Sequence, residues 1–141
     1  MVANTNPVFI RVGQIEWDST YLTAANTTAD LTSGTIYLAF TADPTEGSYL
    51  QYIRCKASPG GNNVQTVARF WINDGDVTGT ADNNTLFDEL TLPATTASST
   101  TAVTTMSLPV NVYLPPGYRV YVTIATAVAA GWKFTGVGGK Y

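Results

Sequence analysis

Ten carboxylates, Glu16, Asp18, Asp30, Asp43, Glu46, Asp74, Asp76, Asp82, Asp88 and Glu89, are the groups this chain offers for acid–base chemistry. Glycoside hydrolysis would need two of them facing one cleft. Most stand beside Gly, Asn, Pro or Thr, where a carboxylate ordinarily caps its own backbone turn. The chain has no histidine, so a Ser-His-Asp triad, a Cys-His dyad, a histidine metal cage and a histidine pH switch are all excluded. We therefore expect no catalytic residues, no cofactor and no enzyme.

The remaining chemical signals have plainer readings. Cys55 stands alone, which rules out an intrachain disulfide and a cysteine zinc site and reads as a small buried hydrophobe. Asn73-Asp74-Gly75-Asp76 gathers oxygens in the manner of a calcium loop. It lacks the twelve-residue spacing with a terminal Glu, so a hairpin turn is the better reading and no metal site is expected. Asn26-Thr27-Thr28 and Asn83-Asn84-Thr85 match the glycosylation acceptor pattern and read as chance matches in a Thr-rich chain. Gly136, Gly138 and Gly139 precede no helix and no Gly-Lys-Ser/Thr, so they mark a bend or a close backbone approach rather than a phosphate loop.

Composition bounds the partners. Of 141 residues 45% are hydrophobic, enough for one domain with a real core, and only 12% are charged. Seven cations scattered singly against ten acids provide no stripe for a phosphate backbone, so nucleic-acid binding is not expected. No apolar run approaches the ~18 residues of a membrane span. Met1 to Pro7 has no basic region followed by an apolar core and is not read as a signal peptide; residues 1–7 read instead as a flexible arm ahead of a domain at 8–141.

What must position any site is a set of strands. Thr, Val, Ile, Tyr, Phe and Trp dominate, and apolar residues recur with period two. Ile36, Leu38 and Phe40 share a face, as do Ile53 and Cys55 opposite Arg54 and Lys56; Ala68, Phe70 and Ile72; Leu108, Val110, Val112 and Leu114; and Tyr118, Val120, Val122 and Ile124. Turn signals at Asp43-Pro44, Pro59-Gly60-Gly61-Asn62, Asn73 to Asp76, Pro115-Pro116-Gly117 and Ala130-Gly131 separate them. The expected strands are Val8 to Trp17, Gly34 to Thr41, Tyr49 to Ala57, Val64 to Asn73, Thr85 to Leu92, Thr104 to Leu114, Tyr118 to Ala127 and Trp132 to Lys140. At the fifth, a helical turn through Leu86, Phe87 and Leu90 competes, capped by Asn83 or Asn84. Thr95 to Thr101 reads as a small-polar loop. The fold class expected is all-β: a single-domain, jelly-roll-like antiparallel β-sandwich of about eight strands.

The same parity turns Arg69, Trp71, Tyr113, Arg119 and Tyr121 outward. Exposed aromatics beside arginines mark protein interfaces, and a subunit interface is the functional reading of these five. Two alternatives stand beside it: a loop or second sheet edge covers them, or the rings stack on a sugar.

Ala81 to Pro93, Leu114-Pro115-Pro116-Gly117-Tyr118-Arg119-Val120, Ala127-Val128-Ala129-Ala130-Gly131-Trp132 and Gly138-Gly139-Lys140-Tyr141 resemble segments of small structural proteins of tailed bacteriophages. Such proteins often end in an Ala-Ala-Gly-Trp strand followed by Gly-Gly-Asp-Tyr, and Lys140 here replaces the acidic residue. Phe70-Trp71-Ile72-Asn73-Asp74-Gly75 and, more loosely, Leu22 to Thr27 are similar to the same family. The resemblance implies a virion component made in the host cytoplasm: a capsid decoration (cement) protein, homotrimeric, bound to the major capsid protein on the outside of the head. The alternative expectation is a carbohydrate-binding or fibre/tail-associated receptor-binding β-sandwich module.

Overall fold

A computed structural model describes residues 10–140, so the expected arm at 1–7 and the start of the first expected strand lie outside the described residues. Eight strands follow in chain order: β1 (Val12–Glu16), β2 (Tyr37–Thr41), β3 (Ser48–Ala57), β4 (Thr66–Asn73), β5 (Asn84–Leu92), β6 (Thr105–Leu114), β7 (Arg119–Ile124) and β8 (Trp132–Lys140). They form two four-stranded sheets, ordered β1-β8-β3-β6 and β2-β7-β4-β5, with every pairing antiparallel. β4 pairs with β5, β3 with β6, β2 with β7 and β1 with β8. One long antiparallel ribbon with its tip at the β4–β5 turn thus rolls into a sandwich, which is the jelly roll expected.

Each predicted turn signal falls between strands. At Pro115-Pro116-Gly117 the Tyr118 N–H donates to the Pro115 carbonyl at 3.1 Å, and Gly117 takes φ +78°. A proline before a positive-φ glycine closes the β6–β7 turn without steric penalty. The competing helical turn does not form at Leu86 and Phe87, which lie in β5; a single 3₁₀ turn at Ala81–Asn83 precedes that strand.

Between the sheets, Phe134 meets Tyr37 edge-on at 5.4 Å and Phe70 at 6.0 Å between ring centroids, so one ring from β8 locks onto β2 and β4. The Tyr37 hydroxyl accepts the Asp18 and Phe134 N–H groups, which leaves this buried polar tip satisfied. Parity holds along β3, β4, β6 and β7, whose expected inward residues lie in or against the core. β2 breaks it. A bulge between Leu38 and Phe40 inserts Ala39, so Phe40 pairs with Val120 and enters the core, while Leu38 pairs with Tyr121 on the opposite face. The expectation that Ile36, Leu38 and Phe40 share one face is therefore corrected by one extra residue.

Candidate functional site

Asp74 and Asp82 line one open depression with Asn83, Asn84 and Tyr118, and most of the carboxylates serve the backbone of their own turns. Asp18, Asp30, Asp43, Asp74, Asp76 and Asp88 each accept a nearby backbone N–H, of Thr20, Thr32, Thr45, Asp76, Val77 and Glu89 respectively. Asp43 also binds the Lys140 ammonium at 2.8 Å, which with those amides lowers its pKa to about 2. Glu16 accepts the Thr41 N–H at 2.7 Å, and burial raises its pKa. No three of Cys, Asp and Glu converge as metal ligands among the described residues. Asn73 to Asp76 forms a turn in which Gly75 takes φ +93° and the side-chain oxygens serve neighbouring amides.

The acceptor-like asparagines are structural. Asn26 is buried and holds the Ser33 and Thr35 carbonyls and the Thr28 amide, while Asn83 donates to the Val77 carbonyl at 2.9 Å. Cys55 is fully buried, and desolvation pushes its thiol up to about 12. Its pH consequence has a definite sign. An unfolded chain releases the thiol proton near the ordinary value of ~8.5 while the folded chain retains it, so stability falls as pH rises from there toward 12. We expect Cys55 to resist thiol-specific reagents at pH 8 in the native protein and to react within seconds in denaturant; equal rates in the two states would contradict its burial.

The five outward residues divide between the two sheets. Arg69, Trp71, Arg119 and Tyr121 do project from the outer face of β2-β7-β4-β5, as parity requires, but the rings do not reach solvent. Trp71 is 2% and Tyr121 9% exposed, packed with Leu31, Ile36 and Leu38. The cover is the long β1–β2 connection. It bridges to β8 at Leu22 and to β7 at Ala25, and it seats Leu31 on the rings with φ +64°. Asn84 ties the Asp30 carbonyl of this connection to β5, and the Trp71 Nε1–H donates to Thr123 Oγ1 at 3.0 Å. Exposed rings at Trp71 and Tyr121 are thus corrected to a second core. Arg69 pairs with Glu89 at 2.9 Å, and Arg119 is half-buried.

Tyr113 lies on the other sheet, 48% exposed, its hydroxyl donating to the Glu46 carbonyl. There the outer face of β1-β8-β3-β6 has a different character. Register aligns Ile15, Val137, Tyr52 and Pro109 in one row across all four strands. Beside it runs the row Gly13, Gly139, Tyr49 and Tyr113, in which the Ile10 side chain lies over Gly139 while the space at Gly13 is open. Ile15 is 62% exposed and Trp17, just past the end of β1, 56%. An open depression lined by Gln51, Tyr52, Arg54, Ser107, Pro109 and Asn111 continues the surface.

β1 is amphipathic in reverse. Gln14 turns inward to accept the Ser48 hydroxyl and Glu16 reaches the Thr41 amide, while apolar Ile15 faces out. Gln14 and Glu16 are half-buried on the inward side of β1. Sequence reasoning missed Ile15, Tyr52, Pro109 and Val137, because their partnership is a matter of register between strands distant in sequence.

The fold and this face together define a jelly-roll β-sandwich with one sheet closed by its own chain and the other, among the described residues, left open. No protein-family model, no curated protein and no solved structure matches the chain.

Proposed function

We propose that this chain is a structural virion protein that decorates a tailed-phage capsid, binding the outer surface of the major capsid protein shell as a homotrimer and stabilising it without catalysis. The observation that carries the reading is the asymmetry of the sandwich. One outer sheet face is sealed by Leu31 and its neighbours, whereas the other presents a cross-strand apolar row with no cover from the described chain. A contiguous apolar face of this kind belongs against another protein. The resemblance of Ala81 to Pro93 and of the segments around Trp132 and Gly139 to small phage structural proteins supplies the kind of assembly.

The remaining features are compatible with such a role. Low charge and carboxylates tied into turns suit a rigid shell component more than a solution enzyme. Several copies around a symmetry axis also gain retention by avidity even where each contact is modest.

The test is imaging of purified virions together with light scattering of the free protein. The expected result is density for the sandwich on the outer head surface and a solution mass three times that of the chain. Its absence from heads, or a monomer that binds a glycan array, would overturn the reading.

A further inference from the structure

We infer that the outer face of β1-β8-β3-β6 docks on a protein surface in which carboxylates flank one end of an apolar patch. The inference rests on the decoration reading and adds the chemistry of the partner. Of the seven cations, Arg11, Arg69 and Lys140 pair with carboxylates, while Arg54, Lys56, Lys133 and Arg119 have no carboxylate partner among the described residues. Three of these four, Arg54, Lys56 and Lys133, project from this one face, each on the opposite side of its strand from the core residues Ile53, Cys55, Trp132 and Phe134. No Asp or Glu occupies an outward position of the four strands, in a chain whose acids outnumber its bases.

Register sharpens the charge argument. Lys56 and Lys133 stand directly opposite each other across β3 and β8, and like charges in that position destabilise a sheet. Their ammonium groups part: Lys56 donates to the Val103 carbonyl, and Lys133 lies 4.9 Å from the Tyr21 ring centroid. Arg54 lies 5.9 Å from the Tyr52 ring centroid, which brings a cation to the edge of the apolar row. Carboxylates laid over this end of the face would complement these charges.

The same pattern selects the occupant. A second copy docked two-fold through the cationic end of the face would set like charges together, so pairing at that end is disfavoured. A nucleic-acid strand would need a basic track along its backbone, whereas Ile15, Val137 and Pro109 give phosphates nothing to bind. An apolar protein patch flanked at one end by Asp and Glu complements both parts.

The experiment measures binding of the full chain to purified heads that lack it, for the wild type, the double variant Arg54→Glu/Lys133→Glu and the single variant Ile15→Ser, with thermal melts as a folding control. Wild-type affinity is expected to fall as NaCl rises from about 0.05 to 0.5 M. The double variant should bind at least ~10-fold more weakly at low salt and lose most of that salt dependence. Ile15→Ser should weaken binding and retain the wild-type salt slope. A double variant that matches the wild type within about twofold overturns the acidic partner and leaves the decoration reading standing. A wild type that does not bind heads overturns both. Tight binding of a single-stranded oligonucleotide, abolished in the double variant while head binding persists, also overturns the inference by reassigning the face to a polyanion.

Discussion

Trp71→Ala is expected to lower unfolding stability by about 3–5 kcal/mol, the range for deleting a large aromatic from a packed site. The indole is 2% exposed beneath the β1–β2 connection, and its Nε1–H donates to Thr123, itself buried. Removing it empties the space under Leu31 and deprives the Thr123 hydroxyl of that donor. Urea unfolding monitored by circular dichroism measures the change, and native-state hydrogen exchange should show the Asn26 amide, bonded to the Ile124 carbonyl, losing protection as the cover loosens. Trp71→Phe, which keeps most of the bulk, should lose clearly less. An alanine variant within ~0.5 kcal/mol of the wild type would mean that the ring behaves as a surface residue and that the connection is not a cover.

Gly138→Ala is the second large effect, and it acts through the backbone. Register pairs Gly138 with Leu50, while the next pair along is Val137 with Tyr52, so Gln51 bulges from β3 at this point. The bulge brings the neighbouring backbones so close that a Cβ on Gly138 would collide with the Tyr49 carbonyl and come within 3.0 Å of the Leu50 Cα. Neither atom can retreat without opening the ladder between two central strands. We expect a loss of about 3 kcal/mol or more, or failure to accumulate as soluble protein. Gly13→Ala is the matched control, because a Cβ there meets nothing within 4 Å; it should change stability by less than ~0.5 kcal/mol. Equal stability of the two variants would refute the close approach.

These two residues show where sequence reading succeeds and where it stops. The Gly136, Gly138 and Gly139 cluster reads from sequence as a bend or a close backbone approach, and the structure supplies the atoms that approach. Trp71 reads correctly as lying on the opposite face from Phe70, since alternation in a strand is dictated by the pleat. Its burial does not follow from that. Whether an outward face meets solvent depends on where a separate loop, here the segment carrying Leu31, is carried by its bridges to Trp132 and Ile124.

Phe40 makes the same point on a smaller scale. A regular strand would place it with Leu38, and one inserted residue sends it to the core because Val120 and Tyr121 fix the pairing on either side. β1 is the sharpest case. Ile15 faces out, while Ser48 and the Thr41 amide offer hydrogen bonds to Gln14 and Glu16 on the inside.

By itself, the sequence determined the class of fold, the order of the eight strands and the turns between them. Those are local properties, encoded in period-two alternation, in β-branched and aromatic content, and in Gly, Pro and Asn punctuation. It also excluded histidine chemistry outright. Only the tertiary structure decided which of two outward sheet faces the described residues leave open. That choice rests on cross-strand register, which aligns Ile15, Val137, Tyr52 and Pro109 from four separate segments, and on the path of one long connection over the other sheet. Contacts between residues far apart in the chain settle both, and a single strand's pattern carries no record of them.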